Sequence, residues 1–585
     1  MLVLGLATMG TSAACLMRDG ALVAAIEEER LSRIKNDGAF PLRAIAEVLR
    51  IGGATMAEVD AVAVYWRPWA IGTRARGTIA KALASRQARA SIARRTRKAL
   101  GGGVDADHPE AGGRWSDLFR VRRILAAAFG DCRAEIAFYD HHLTHQLYAE
   151  ALRRWPVCLS LSYDGGGEAD STVLTLVEEG RRRDLRRVRW PNSLGHFYST
   201  FTGYLGFKML EGEYKMMGLA PYGTPRFADL LLDRALRLGP AGDYRLDTAL
   251  CDYHRALEGD FPPELAALVG PPRLPDAEPE PHHLDLAASV QAAFEAAQRH
   301  LLAWARTQAP GADRLALSGG CALNVTANGR LLQSGLFAEI ALPPAPHDGG
   351  CAVGAALAHL AARGLPAPDV TSPYLGPAHA DAEIAAAFAA RGLPPPRAVD
   401  ADALIGETVE TLASGGIVAW HQGRAEFGPR ALGARSILAD PRDDAIREAL
   451  NAKIKKRELF RPFAPSVLAE AAGDWFELAQ PSPYMNILAA VRAEARARIP
   501  AVTHVDGTAR VHTVDRAANP LYHRLIAAFG ARTGVPVLLN TSFNIQEPIV
   551  TTPDQAIATF LRSDMDLLAI GGFLADRDWR RRAGA

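Results

Sequence analysis

A chain of 585 residues with 66 Lys and Arg against 65 Asp and Glu has a formal charge of +1, so no global field draws it to nucleic acid or anionic lipid. With 49% hydrophobic and 22% charged residues it can build packed cores, which excludes bulk disorder. At ~100–200 residues per domain the length suggests about three or four folding units. No apolar run approaches ~18 residues, so no membrane span is expected. The six cysteines, Cys15, Cys132, Cys158, Cys251, Cys321 and Cys351, form no CxxC pair. They read as free buried thiols in a reducing compartment, the cytoplasm.

The apolar opening MLVLGLATMG lacks a basic flank and a cleavage site and runs into a structured pattern, so it reads as a first strand rather than a signal peptide. LVLGLA, a tight stretch at 8–12, AACLMR, the turn Asp19-Gly20 and ALVAAIEEE then form a β-meander. Residues 67–98 hold eight Arg, two Lys and no acid, with a helical pattern at 79–100 stopped by Gly101-Gly102-Gly103. At 157–177 the strand–Gly-turn–strand unit returns as VCLSLSYDGGGEADSTVLTLV, which suggests an internal duplication. Residues 271–283 read as a loop, 284–309 as a long helix, and 314–317 as a strand entering Ser318-Gly319-Gly320. The stretch 343–346 closes another strand before His347-Asp348-Gly349-Gly350, and a helix follows at 352–363. A Pro-, Gly- and Ala-rich stretch at 364–396 marks a boundary. Beyond it lie strands at 417–420 and 535–539 in a polar, Arg-rich body.

Several clusters carry chemistry. In Asp140-His141-His142-Leu143-Thr144-His145, helical spacing puts His141 and His145 on one face, where two imidazoles can meet one ion of the iron, zinc or manganese class. His142 points elsewhere, toward a carboxylate or a phosphate. Asp164 in DGGGE and Asp348 in HDGG are the candidate oxygen partners, each at a glycine turn. The loop Ser318-Gly319-Gly320-Cys321-Ala322-Leu323-Asn324 follows a strand and opens a helix, a place where backbone approaches a phosphate or purine closely. In the last third, Arg430, Lys455, Arg461, Arg510, Ser542 and Asn544 stand on short, often Pro-stiffened turns. They are the donors that a small phosphate-bearing substrate requires.

At these residues the chain resembles the O-carbamoyltransferase family, which includes the nodulation-factor NodU type and the tailoring enzymes for tobramycin, cephamycin and novobiocin. The resemblance runs in order through EEERLSRIK, HHLTH, SYDGGGE, GEYKMMGLAPYG, SGGCALN, HDGG, EFGPRALGARSI, IKKRELFRPFAP, DGTAR and NTSFN. It implies an α/β (mixed α+β) fold: a duplicated, ribonuclease-H-like half of the actin and sugar-kinase kind at 1–365, a linker at 366–398, and a YrdC-like α/β domain at 399–585. The resemblance also implies that the second domain makes carbamoyl-adenylate from carbamoyl phosphate and ATP, which passes internally to the first for transfer to an acceptor hydroxyl. Carried over by motif, metal ligands are His141, His145, Asp164 and Asp348, with Fe(II) as the ion and zinc or manganese as alternatives. Carbamoyl-phosphate contacts are Arg430, Lys455, Arg461, Arg510, Ser542 and Asn544, with Lys455 and Arg461 also counted as catalytic beside the four ligands. Nucleotide contacts are Gly165, Gly166, Gly167, Ser318, Gly319, Gly320, Asn324 and Gly349. One position departs: where the family carries a His-Asp pair in the first loop, this chain has Gly10 and Thr11.

The expected partner is a small hydroxyl-bearing acceptor, a sugar or natural product. The basic run at 67–98 favours an anionic one, and a solvated helix face with codon-biased arginine is the alternative. No stable nucleic-acid partner and no membrane are expected, and a homodimer is left open. Hydrogenase-maturation and tRNA-modification carbamoyl transfer are the alternative functions. The first is disfavoured by the absence of CxxC zinc fingers, the second by the near-zero net charge.

Overall fold

The structure, a computed structural model, describes residues 1–70, 72, 113–455, 457, 458 and 460–584. Most of the basic run at 67–98, with its expected helix, lies outside the described residues. The chain divides into two compact units. The first comprises Met1–Glu28 and Asn36–Thr371, the second Glu29–Lys35 and Ser372–Ala585. Among the described residues, no helix is long and apolar enough to cross a membrane.

The first unit holds two five-stranded sheets of one design. In one, β1 (Leu2–Ala7), β2 (Ala13–Arg18) and β3 (Ala21–Glu27) form an antiparallel meander, and β4 (Ala61–Val64) and β5 (Glu135–Phe138) extend it in parallel on the β1 side. In the other, β6 (Val157–Tyr163), β7 (Asp170–Glu178) and β8 (Arg181–Arg189) form the meander. A small hairpin, β9 (Leu236–Leu238) and β10 (Tyr244–Leu246), comes next in the chain. Strands β11 (Arg314–Ser318) and β12 (Glu339–Ala341) then run parallel to β6. The orders β3-β2-β1-β4-β5 and β8-β7-β6-β11-β12 are the same topology used twice, the expected duplication. Every residue of β1 is buried, which is why LVLGLA reads as a continuous apolar run rather than an alternation.

Two helices of this unit make a close crossing. Cys351–Ala362 lies against His141–Ala151 and against β1. A Cβ on Gly354 would stand 1.8 Å from Thr144 O, and one on Gly5 would stand 2.1 Å from Ala352 O. Only hydrogen fits at these contacts, so backbone touches backbone. The long helix begins at Pro281 rather than 284, because proline at the first helical position forfeits an N–H that has no intrahelical partner anyway.

The second unit is built on one nine-stranded mixed sheet. In chain order its strands are β13 (Arg397–Ala398), β14 (Val418–His421), β15 (Arg435–Ala439), β16 (Ala464–Leu468), β17 (Ile487–Ala490), β18 (Thr508–Val514), β19 (Val537–Ser542), β20 (Leu567–Ile570) and β21 (Phe573–Asp576). Their spatial order is β13-β21-β20-β14-β15-β19-β16-β18-β17. The larger hydrophobic clusters packed on it include one with Phe463, Trp475 and Phe543 and another with Trp420, Leu525 and Phe529.

Two segments belong to this unit that composition assigned elsewhere. The stretch read as a linker at 366–398 contains the helix Asp381–Ala390, whose Ile384 and Phe388, four residues apart, enter the first cluster. Its six alanines hid that apolar face. The segment 29–35, inside the first domain as read from sequence, is held by carbonyls of the second unit. Arg30 donates to Gly428 O, and Arg33 donates to Ile549 O at 2.8 Å and to Pro548 O at 2.5 Å.

Candidate metal and anion sites

In the first unit, Asp140 caps the helix His141–Ala151, its carboxylate accepting from Leu143 N at 3.1 Å. That fixes the first turn and brings His141 and His145 together as their spacing requires. Asp164, at the end of β6, meets them: its Oδ2 is 3.1 Å from His141 Nε2 and 3.5 Å from His145 Nε2. Its Oδ1 accepts from Gly165 N at 2.7 Å and Gly320 N at 3.2 Å. One carboxylate thus joins the DGGGE loop, the SGGC loop and both histidines. Asp348 Oδ1 lies 3.6 Å from His145 Nε2. The four donor atoms of His141, His145, Asp164 and Asp348 all lie within 4.8 Å of one another.

The electrostatics follow from this packing. Burial opposes charge on Asp164, yet His141, hydrogen-bonded to it, and His145 beside it hold its carboxyl well below the usual range. Burial likewise opposes charge on His145, but Cys351, Asp164 and Asp348 hold its imidazole well above its ordinary value. His141 Nδ1 and His145 Nε2 are nevertheless buried without a hydrogen-bond partner. Two buried imidazoles, His141 with Nε2 against Asp164 and His145 with its orphaned Nε2 between Asp164 and Asp348, form with these carboxylates a donor set suited to a divalent cation of the zinc, iron or manganese class.

Around this cluster, Glu168 of DGGGE accepts from His141 N at 3.1 Å and from Arg67 Nε at 3.3 Å. Arg67 also donates to Asp140 at 2.5 Å, so the described start of the basic run is ion-paired within the unit. The rings of Tyr65 and Trp66 stand 5.3 Å from that of His141. His347 Nε2 is 3.1 Å from Glu27 Oε1, next to Asp348 in the chain. A Cβ on Gly10 would fall 1.9 Å from Asp348 Oδ2, so the first loop has no room for a side chain there while Asp348 holds this position. His142 points away from the cluster, as expected, but meets neither a carboxylate nor a phosphate. Its nitrogens meet Ser162 Oγ at 2.8 Å and Asp170 O at 2.9 Å, because the residue after His141 points into the sheet, not the cluster.

Of the residues read as nucleotide contacts, Gly165, Gly166, Gly167 and Gly320 are in the loops meeting at Asp164. Gly319 has φ +93°, and a Cβ there would stand 2.2 Å from Tyr163 O. Gly349 lies against Glu27 and His347. Ser318 turns its hydroxyl to Leu161 O at 3.5 Å. Asn324 uses both ends of its amide inside the protein: Oδ1 caps the helix Val325–Gln333 through Ala327 N at 3.0 Å, and Nδ2 donates to Gln291 at 3.0 Å.

In the second unit, Lys455 ends a wide helical turn, Leu450–Lys455, of a kind often found at functional sites. Its buried Nζ donates to Ser542 O, to Ser542 Oγ at 3.4 Å, and to Asn544 O and Oδ1 at 2.9 and 2.7 Å. Burial, then Arg457 and Arg461, push Lys455 well below the usual lysine value. Burial, then Arg430, Arg457 and Arg461, do the same to Arg510. Arg430, Lys455, Arg461, Arg510, Ser542 and Asn544 therefore share one neighbourhood. Arg457 joins them, its guanidinium 4.5 Å from the Phe463 ring centre and donating to Asn451 Oδ1 at 2.7 Å. The motif IKKREL contained Arg457, but nothing local separated it from its basic neighbours. Arg435, by contrast, is spent on carbonyls of Gln422, Ala434, Pro377, Gly423 and Thr551, and braces the fold.

The family profile for the carbamoyltransferase N-terminus matches residues 2–357, and that for the C-terminus matches 409–577. The chain belongs to the carbamoyltransferase family. It is a transferase with a mixed α/β fold. An uncharacterised protein of Synechocystis sp. is 40% identical over 96% of this chain and 94% of its own length. Nodulation protein NolNO of Sinorhizobium fredii is 39% identical over 98% of this chain and 81% of its own. The 3'-hydroxymethylcephem-O-carbamoyltransferase of Amycolatopsis lactamdurans is 34% identical over 63% and 67%. Among solved structures, HypF of T. kodakarensis is a distant likeness at 14% identity, covering 63% of this chain and 49% of its own with a TM-score of 0.31.

Proposed function

We propose that this carbamoyltransferase is ATP-dependent and carbamoylates a hydroxyl of a sugar or natural-product acceptor, with its two half-reactions divided between its two units. The observation that carries the reading is the existence of two unlike clusters in one chain. One is a set of carboxylates and imidazoles, the other a set of converging cations.

In the second unit, Arg430, Lys455, Arg461 and Arg510, with Ser542 and Asn544, bind carbamoyl phosphate and the triphosphate of ATP. Water cleaves carbamoyl phosphate to carbamate and inorganic phosphate; a carbamate oxygen then bonds to the α-phosphorus of ATP as the bond to the β-phosphate breaks, and pyrophosphate departs, leaving carbamoyl-adenylate. The cations offset charge that builds on the phosphoryl oxygens. In the first unit the acceptor oxygen bonds to the carbamoyl carbon, AMP leaves, and the hydroxyl proton passes to a base. The glycine loops 165–167 and 318–320 accommodate the nucleotide, and Asp164 orients both histidines. His141, His145, Asp164 and Asp348 would hold a divalent metal, Fe(II) by family resemblance, with zinc and manganese fitting the same donors. Such an ion polarises the carbonyl and stabilises developing negative charge.

The test is a crossing of phenotypes. Arg461→Ala should lose pyrophosphate release by roughly ten- to hundredfold, the cost of a charge-assisted contact of ~1.5–3 kcal/mol, yet still transfer from supplied carbamoyl-adenylate. His145→Ala should release pyrophosphate and fail to carbamoylate the acceptor. Loss of both activities in both folded variants would falsify the division.

A further inference from the structure

Cys351 is a buried thiol that the reaction above leaves unused, and its position is specific. One donor atom from each of His141, His145 and Cys351 lies within 4.8 Å of the other two, a second set that shares both histidines with the His–Asp set. The cause is the helix crossing. Cys351 begins the helix Cys351–Ala362, and Gly354, one turn on along the same face, presses its backbone against Thr144, the residue before His145. The contact fixes the first turn of one helix against the first turn of the other. The sulfur is therefore set against His141 and His145, both of them buried. Cys351 itself is fully buried, and it pairs with no other cysteine.

We infer that Cys351 is a sulfur ligand of the metal held by His141 and His145, so that this centre offers a thiolate beside its imidazoles and carboxylates. The inference rests on the proposed metal site. On binding, the S–H bond breaks, a metal–sulfur bond forms, and the proton goes to the buffer. A thiolate favours zinc or iron over manganese, which prefers oxygen donors, so Cys351 also biases the choice of ion.

The experiment loads the full-length protein with Zn(II) and measures metal content and zinc-edge X-ray absorption. A sulfur scatterer at about 2.3 Å beside nitrogen and oxygen at about 2.0–2.2 Å is expected. Zinc bound in a shell of nitrogen and oxygen alone overturns the inference and leaves the His–Asp site standing. No bound zinc overturns both. A second measurement uses Co(II) as the probe. The wild type should show a near-ultraviolet thiolate-to-cobalt charge-transfer band that Cys351→Ser loses while it still binds cobalt through the other four donors. A band that persists in Cys351→Ser assigns the sulfur elsewhere and sinks the inference. Competition between Zn(II) and Mn(II) gives a third reading: Cys351→Ser should shift preference toward manganese by about tenfold or more, and an unchanged ratio counts against a ligating sulfur.

Discussion

The two clusters solve the burial of charge in opposite ways. Around Asp164 the charges alternate: carboxylates face imidazoles, and each side lowers the cost of the other's burial. Around Lys455 and Arg510 the charges repeat. Arg430, Arg457 and Arg461 all oppose the charge on Arg510, and within this neighbourhood Glu458 is 3.7 Å from Arg461. The first cluster is compatible with a stable protein before anything binds. The second gathers like charges, which the anionic substrate proposed above would offset.

Removing a charge should therefore have opposite effects on stability in the two places. Asp164→Asn leaves the buried His145 imidazole, held well above its ordinary value, without one of its counter-charges and should destabilise the metal-free protein by ~3–5 kcal/mol, read by urea unfolding. Little change would mean that His145 is neutral and uncoupled from Asp164.

A buried carboxyl whose ion-pair partner, Arg43, is mostly exposed sharpens the contrast. Glu28 accepts from Ala44 N at 2.8 Å and Arg43 N at 3.3 Å, capping the helix Leu42–Gly52, which Pro41 cannot cap. Burial raises its carboxyl to about 7, against the lowering by those two backbone donors. An acid whose folded value exceeds its unfolded one contributes stability in its protonated form. That contribution is full below the unfolded value of 4.5 and is lost as pH rises to about 7. The loss should reach ~2–3 kcal/mol, and Glu28→Gln should abolish that slope in unfolding free energy measured across the same pH range. A variant with the wild-type slope would refute the assignment.

In the basic cluster the sign reverses. Arg510→Met removes one of several like charges, and the ligand-free protein should gain ~0.5–2 kcal/mol in thermal or urea unfolding while pyrophosphate release collapses. Destabilisation instead would show that the cations are paired in the resting protein. The smallest effect is a fraction of a proton. Because burial, Arg457 and Arg461 depress Lys455, bound inorganic phosphate should raise its value and draw a proton from solution at pH values between the depressed and the ordinary lysine range. Calorimetry in two buffers of different ionisation enthalpy should report uptake, and release or no exchange would break the comparison at its weaker end.

What could be read locally was read without the fold. Each strand–glycine-turn–strand unit is a run of adjacent residues, so the duplication was visible in 2–27 and 157–177 and emerged as two sheets of the same order. Spacing along a single helix brought His141 and His145 together, since four residues are about one turn. The helix Asp381–Ala390 escaped because alanine carries too little apolar surface to mark a face, and two anchors, Ile384 and Phe388, are its buried residues in the cluster. The inward turn of His142 and the double use of Asn324 escaped because their partners, Ser162, Asp170 and Gln291, are remote in sequence.

The amino-acid sequence by itself determined the family, through the resemblance of its ordered motifs, and the repeated strand units and the chemical character of both clusters, because periodicity and spacing are properties of neighbours along the chain. Only the tertiary structure decided that segment 29–35 belongs to the second unit, that Asp164 ties two glycine loops to two histidines, that Arg457 joins the cations, and that Cys351 stands within reach of the imidazoles. Each depends on a contact between residues far apart in the chain or on which way a side chain turns from its backbone, and local pattern carries no record of either. Gly354 is the plainest case: in sequence it is one glycine in an alanine-rich helix, and only the backbone of Thr144 pressed against it gives Cys351 its neighbours.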